Sequence, residues 1–419
     1  MLRLIHFADL HLGVETHGQF RPDLGYSSRI QDFLDAFDQI IAAAIEERFD
    51  AVLFAGDAFK HAEPSPTLQR RFAERIQRLL AAGIPIVLLV GNHDRPRSVV
   101  RSTPIDIYAA LRLPGVIVAN RPERFTIATP SGPLQVVALP WIPPRLLLAD
   151  DALREAGAPE LERRYKEIIA SALAPLLAAL DPATPAVFLG HLSLEGGRFG
   201  SERSVILGND PLFGLDELGL TSAPIDYVAL GHLHSHQVLH ERPPVVYAGS
   251  VERIDFGEER EDKGYVAVRI AAGPYPRDVS WEFRPLRTRP MRTFRLDILT
   301  DAPMDEIRRT LERQATLIPE AIVRLTITTT PERAAAIRPL EVRRWLSDLG
   351  AAHVAGITLQ TERVARPRVE LGRSSRHDPV SLLERWVNLQ RLSDQLAKAV
   401  IERGREIIER VESRSSEPR

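Results

Sequence analysis

Apolar positions in this chain recur with two different periods, and the two alternate along its first half. Leu2–Phe7, Ala51–Ala55, Ile84–Val90, Ala186–Leu189 and Tyr227–Leu230 are short runs dominated by Val, Ile, Leu, Ala and Phe. Such runs read as strands buried on both faces of a parallel sheet. Ser28–Phe49 instead places Ile30, Phe33, Leu34, Phe37, Ile40, Ile41, Ala44 and Ile45 at helical spacing, with one apolar stripe. Pro66–Ala82 follows as a second helix, so three strands alternate with two helices before Gly91. This succession predicts an α/β fold, and such sheets bind ligands at the carboxyl edge of their parallel strands.

The middle of the chain is less periodic. Ile105–Leu111 reads as a short helix, Val116–Ala119 and Leu134–Ala138 as strands, and Leu139–Pro144 as a Pro-rich loop in which Trp141 packs or anchors. A helix is expected from Glu160. After Phe283 the composition changes. Leu286–Pro290 is a polar Arg-Pro linker, followed by a strand at Thr293–Leu299 and a helix carrying Met304, Ile307, Leu311 and Ile318. A strand at Ala321–Thr328, a helix carrying Val342, Trp345, Leu346 and Leu349, and a strand at His353–Leu359 complete a small α+β unit over 285–365. Arg366–His377 is a second polar linker, and Asp378-Pro379 is a helix start with proline at the first helical position. Leu382, Leu383, Trp386, Leu389, Leu392, Leu396 and Val400 form an apolar stripe, which Gly404 interrupts and Ile407, Ile408 and Val411 resume. A helix behind a flexible linker has no domain of its own to bury that stripe. Residues 366–419 therefore read as a partner-binding arm.

Composition removes several possibilities. With 419 residues, 44% hydrophobic and 26% charged, the chain is globular and long enough for two or three domains. It has no Cys, so thiolate ligands are excluded and any metal must be held by His, Asp, Glu or Asn. A net charge of -2 provides no global positive field for nucleic acid, and any such contact has to be local. The basic residues are almost all Arg, the lysines being Lys60, Lys166, Lys263 and Lys398, which reads as compositional bias of the genome. Met1–His6 already reads as a strand and not as a signal peptide. The longest apolar stretch, Ile168–Leu180, is broken by Pro175 and too short to span a bilayer. A cytoplasmic protein without membrane association is expected.

The candidate chemistry lies where the apolar runs stop. Leu2–Phe7 is followed by Asp9 and His11, two apart and so on one face of an extended segment. Ala51–Ala55 runs into Gly56-Asp57, Ile84–Val90 into Gly91-Asn92-His93-Asp94, Ala186–Leu189 into Gly190-His191, and Tyr227–Leu230 into Gly231-His232-Leu233-His234. Each motif alone is as easily a turn, a helix cap or a core histidine. All five together are not. The set suits two divalent ions with one aspartate bridging, the arrangement that activates water and clamps a phosphoryl group for in-line displacement. Asp, Asn and His in mixture point to Mn, Fe or Zn.

The ordered series Asp-x-His, Gly-Asp, Gly-Asn-His-Asp, Gly-His and Gly-His-x-His resembles the calcineurin-like metallophosphoesterase superfamily. Phe7–Gly13, Leu139-Pro140-Trp141, Ser201-Glu202-Arg203, Asp226–His232 and Tyr247-Ala248-Gly249-Ser250 are similar to its SbcD-type branch of DNA double-strand-break repair nucleases. The resemblance spans Met1 to about Phe283. It implies a β-sandwich flanked by helices over 1–284, a DNA-orienting capping domain over 285–365, and an arm that grips the coiled coil of an SbcC-type ATPase. It implies that Asp9, His11, Asp57 and His234 hold one Mn, that Asp57, Asn92, His191 and His232 hold the other, and that His93 acts at the scissile phosphate. Asp94 is expected to cap or orient its turn, and His236 and His240 to be structural.

In archaeal and eukaryotic relatives a second functional histidine stands where this chain has Lys60, with His61 one further on. Either Lys60 supplies a phosphate-binding charge, or His61 swings in, or the position is dispensable. A homodimer through helices between Pro66 and Leu111 is also implied. The resemblance thus implies a Mn-dependent DNA exonuclease and endonuclease that works with the ATPase. A phosphatase or small-molecule phosphodiesterase of the same superfamily is the enzymatic alternative, disfavoured by the arm and cap. A non-catalytic scaffold is disfavoured by the complete ligand set.

Overall fold

The computed structural model describes residues 1–96, 98, 101–144, 158–200, 211–361, 378–389 and 393–415. The Ser201-Glu202-Arg203 motif, Leu392 and the linker Arg366–His377 lie outside them. The chain divides into two compact units, 1–327 with 337–358, and 328–336 with 359–419.

The first unit is built on two six-stranded sheets. In the first, the order is Val279–Pro285, Gly264–Ile270, Leu2–Phe7, Ala51–Phe54, Ile86–Leu89 and Val116–Ala119. Leu2–Phe7 pairs parallel with Ala51–Phe54 and antiparallel with Gly264–Ile270. In the second, the order is Gln237–Glu241, Pro244–Tyr247, Tyr227–Gly231, Ala186–His191, Gly132–Leu139 and Glu123–Thr129. Its four inner strands are parallel and its outer pairs antiparallel. The expected parallel strands are therefore the centres of two mixed sheets.

Three buried layers explain the continuous apolar runs. Leu4, Leu53 and Val87 face Val187, Tyr227 and Val246 between the sheets. On the outer face of the first sheet, Phe7, Val52 and Phe54 pack on Phe33, Phe37 and Ile40 of the helix Ser28–Glu46 and on Phe72 and Ile76 of the helix Pro66–Ala81. Outside the second sheet, Phe188, Val228 and Leu230 pack with Tyr165, Ile169 and Leu173 of the helix Ala158–Ala178. Alternate residues of each central strand thus enter different cores, so a polar residue there needs a buried partner. His6 has two, the Tyr227 hydroxyl at 3.0 Å and the Leu230 carbonyl at 3.1 Å. Ser27 and Ser65 cap the first two helices through their hydroxyl oxygens, with Pro66 at the first turn of the second.

Met291–Asp297, Ile322–Thr329 and His353–Thr361 form a separate three-stranded sheet, accompanied by helices Pro303–Arg313 and Pro339–Asp348. In the second unit, the apolar stripe lies on two helices, Pro379–Leu389 and Asp394–Ser415, not on one. Gly404 does not interrupt the second of these. A Cβ there would lie 2.2 Å from Leu383 Cδ2, so Gly404 sits at the contact between the two helices. Val387 is buried, while Trp386 and Leu396 remain exposed. Among the described residues no helix is long and apolar enough to cross a membrane.

Candidate metal centre

All five motifs converge at the carboxyl ends of the central strands, where the two sheets meet. Asp9, His11, Asp57, His191, His232 and His234 are buried, and Asn92 and His93 are half-buried. His11 Nε2 lies 3.1 Å from His234 Nε2 and 3.6 Å from Asp57 Oδ2. His191 Nε2 lies 3.5 Å from Asp57 Oδ2 and 2.9 Å from Asn92 Oδ1, which is also 3.1 Å from His232 Nδ1. Ligand atoms of Asp9, His11 and His234, and of Asp9, Asp57 and His191, fall within 4.8 Å of one another. So do those of His11, Asp57 and His93. Asp57 has one oxygen near His11 on one side and His191 on the other, the position of a bridge.

The loops reach this geometry at a conformational cost. Asp9 (φ 52°), His11 (φ 44°), Asp57 (φ 61°) and His232 (φ 97°) all lie in the left-handed region, where a side chain is strained by about 1–3 kcal/mol each. Asp94 holds the Asp57 loop. Its carboxylate accepts from the backbone N–H groups of Asp57, Ala58, Phe59 and Gly91 at 3.0–3.2 Å. Burial and the charge of Asp57 push the Asp94 carboxyl up to about 6. Gly91 belongs to the same contact, since a Cβ on it would sit 2.0 Å from Asp57 Oδ1. Asp9 in turn accepts from the N–H of His232 at 3.0 Å, tying the first sheet to the second.

The donor set fits divalent ions. His191 Nδ1 donates to the Ala55 carbonyl at 2.7 Å and His234 Nδ1 faces the Glu258 carboxylate at 2.9 Å, which leaves Nε2 of each turned to the cluster. Two imidazole Nε2 atoms 3.1 Å apart match the spacing of neighbouring ligands on one ion with metal–nitrogen distances of about 2.0–2.1 Å. Burial raises Asp9 and lowers His11. Against burial, the Asp57 carboxylate holds His191 up at about 9, and His191 with His93 holds Asp57 well below the usual carboxylate range. A divalent ion held by these groups would displace that proton.

The remaining expectations sort clearly. The His93 N–H donates to Asp57 Oδ1 at 2.8 Å, and its Nδ1 lies 2.8 Å from the Lys60 carbonyl. The side chains of Lys60 and His61 are exposed, and the Lys60 backbone carbonyl lies against His93. His236 stacks on Phe283 at 4.2 Å, and His240 Nδ1 meets the Pro243 carbonyl at 3.0 Å, both structural contacts. Trp141 is anchored through its backbone, its N–H donating to Val90 O and its carbonyl accepting from Arg95 Nε. Sequence reasoning missed Glu258 and Lys263, buried behind His234, because the run Glu258–Lys263 reads as a solvated charged loop. Burial opposes ionisation of Glu258, yet His234 and Lys263 hold its carboxyl well below the usual range.

Residues 2–236 match the calcineurin-like phosphoesterase family. The chain belongs to that family. This calcineurin-like phosphoesterase is a hydrolase of phosphoester bonds, with the two-sheet α/β architecture and the buried His and Asp cluster described above. It is similar to the SbcD component of the SbcCD nuclease of Rhodobacter capsulatus, 28% identical over 399 residues that cover 87% of this chain and 89% of that one. The corresponding SbcCD component of Bacillus subtilis is 27% identical over 67% of this phosphoesterase and 68% of its own length. The DNA double-strand break repair protein Mre11 of Haloferax volcanii is 27% identical over 74% of this chain and 58% of that one.

Proposed function

We propose that this phosphoesterase is a Mn-dependent DNA nuclease of the SbcD type, processing DNA ends together with an SbcC-type coiled-coil ATPase. One observation carries the reading. Ligands from five strand ends meet in one buried cluster, in a chain whose similarity to a component of the SbcCD nuclease covers 87% of its length and so extends past the phosphoesterase fold. Asp9, His11, Asp57 and His234 are assigned to one ion, and Asp57, Asn92, His191 and His232 to the other. Bound divalent ions supply Lewis acidity and a nucleophile available at neutral pH.

The protein's own groups do the rest. Asp57 spans both positions, the strained Asp9, His11 and His232 backbones fix the ligands before substrate arrives, and His93 stands beside Asp57 and His11 to stabilise or protonate the departing 3' oxygen. The 285–365 segment is assigned to orienting DNA. Residues 366–419 are assigned to the ATPase, through Leu382, Leu383, Trp386, Leu389, Leu396 and Val400. A homodimer through the nuclease unit and a cytoplasmic location belong to the same reading.

The test is degradation of linear duplex and single-stranded DNA by the purified protein with Mn. Hydrolysis of bis-p-nitrophenyl phosphate without any DNA cleavage would overturn the DNA assignment and leave a small-molecule phosphodiesterase.

A further inference from the structure

Behind His234 lies a pair of opposite charges that the ligand set does not include. Glu258 and Lys263 are side-chain exposed by 0% and 1% and lie 2.9 Å apart. A buried ion pair of this kind is poor evidence of stability, because its desolvation offsets most of its attraction. Both of its members contact His234. Glu258 Oε1 takes the Nδ1 side of the His234 imidazole at 2.9 Å, and Lys263 Nζ donates to the His234 backbone carbonyl at 3.0 Å. One pair thus fixes both the ring and the main chain of a single histidine. Ser250 supports it, its N–H donating to the same carbonyl and its hydroxyl to Glu258 Oε2 at 3.4 Å. Lys263 reaches further, through Glu261 at 2.8 Å and through its own carbonyl, which accepts from Leu286 in the linker toward the 285–365 segment.

We propose that Glu258 and Lys263 are positioning residues that set the orientation and basicity of His234, and so the affinity of the ion position that His234 shares with His11. This rests on the two-ion reading above. A carboxylate on the far nitrogen of a ligating imidazole fixes its tautomer and raises its basicity, and loss of such a partner typically weakens metal affinity by about 10–100-fold. Glu258→Gln keeps the size and an acceptor but removes the charge. Lys263→Met removes the clamp on both partners.

The experiment is calorimetric titration of the full-length protein with Mn alone, beside the electron paramagnetic resonance spectrum of bound Mn. The wild type is expected to bind two ions. Glu258→Gln is expected to weaken one by at least about 10-fold and leave the other within about 3-fold, with Lys263→Met weakening the same one. Equal weakening of both ions, or none, in variants whose circular dichroism matches the wild type would overturn the positioning role. If Glu258→Gln does not fold, Lys263→Met alone decides by the same criterion. A wild type that binds fewer than two ions, with His234→Ala no weaker, would sink the two-ion reading itself, which is a separate outcome.

Discussion

The two sheets contribute unequally to the centre they share. The first supplies every oxygen group of the proposed ligand set, Asp9, Asp57 and Asn92, together with His11. The second supplies only imidazoles, His191, His232 and His234. They are also held by different means. Left-handed backbone occurs on both sides, at Asp9, His11 and Asp57 and at His232, but on the oxygen side the Asp57 loop is further pinned by the main-chain N–H groups that Asp94 collects. On the nitrogen side, two ring orientations come from acceptors behind the imidazoles, the Ala55 carbonyl for His191 and Glu258 for His234. Charge is fixed by the main chain and basicity by groups behind the rings. A displaced carboxylate therefore has no substitute, whereas a weakened imidazole can be offset by more metal.

Four substitutions test that asymmetry. Asp57→Asn removes the bridging charge and is expected to lower phosphodiester hydrolysis by at least ~10³-fold, with no recovery at any Mn concentration. Recovery by millimolar Mn would abolish the contrast. Asp94→Ala strips four buried N–H groups of their acceptor, each worth about 1–3 kcal/mol when unsatisfied, and is expected to cost at least ~3 kcal/mol in urea unfolding. Unchanged stability would show that the oxygen side is not held by Asp94. His191→Ala removes an assigned ligand and is expected to lose activity by at least ~10-fold at low Mn and to regain most of it at high Mn, read from rates across a Mn titration. Failure to regain it would place His191 with the carboxylates. His236→Leu, which removes the Phe283 stack, an edge contact with Trp281 and a carbonyl contact, is expected to cost about 1 kcal/mol and leave activity within about 3-fold.

The oxygen side was also the more legible half. Asp57, Asn92 and Asp94 announce themselves because each follows an apolar run and a glycine, and the glycine is there for a reason of space. A Cβ on Gly91 would overlap Asp57, and one on Gly231 would sit 2.2 Å from the Ala55 carbonyl. The ligand histidines were readable for the same local reason. What stands behind them was not. Glu258 and Lys263 lie in a charge run that any surface loop resembles, and only tertiary burial distinguishes it. The antiparallel strands Gly264–Ile270 and Val279–Pro285 also escaped: the alternation of Val279, Trp281 and Phe283 marks a hairpin, but the pairing of Gly264–Ile270 with Leu2–Phe7 joins opposite ends of the phosphoesterase unit. In the arm, spacing alone could not separate one interrupted helix from two helices touching at Leu383 and Gly404. Gly404 serves equally as a breaker and as a point of contact.

The placement of Leu2–Phe7 between Ala51–Phe54 and Gly264–Ile270 bears on how the protein is made. Leu2–Phe7 leaves the ribosome long before the strand that completes its pairing. Until residue 270 has been synthesised, one side of Leu2–Phe7 is an open row of peptide groups, able to pair with any neighbouring chain. His11 and His234 meet across a separation of 223 residues, so the metal centre forms only when that waiting period is nearly over. A chain cut short before Gly264 keeps all seven ligands and lacks the strand that closes their sheet, which makes it a candidate for aggregation and not for catalysis.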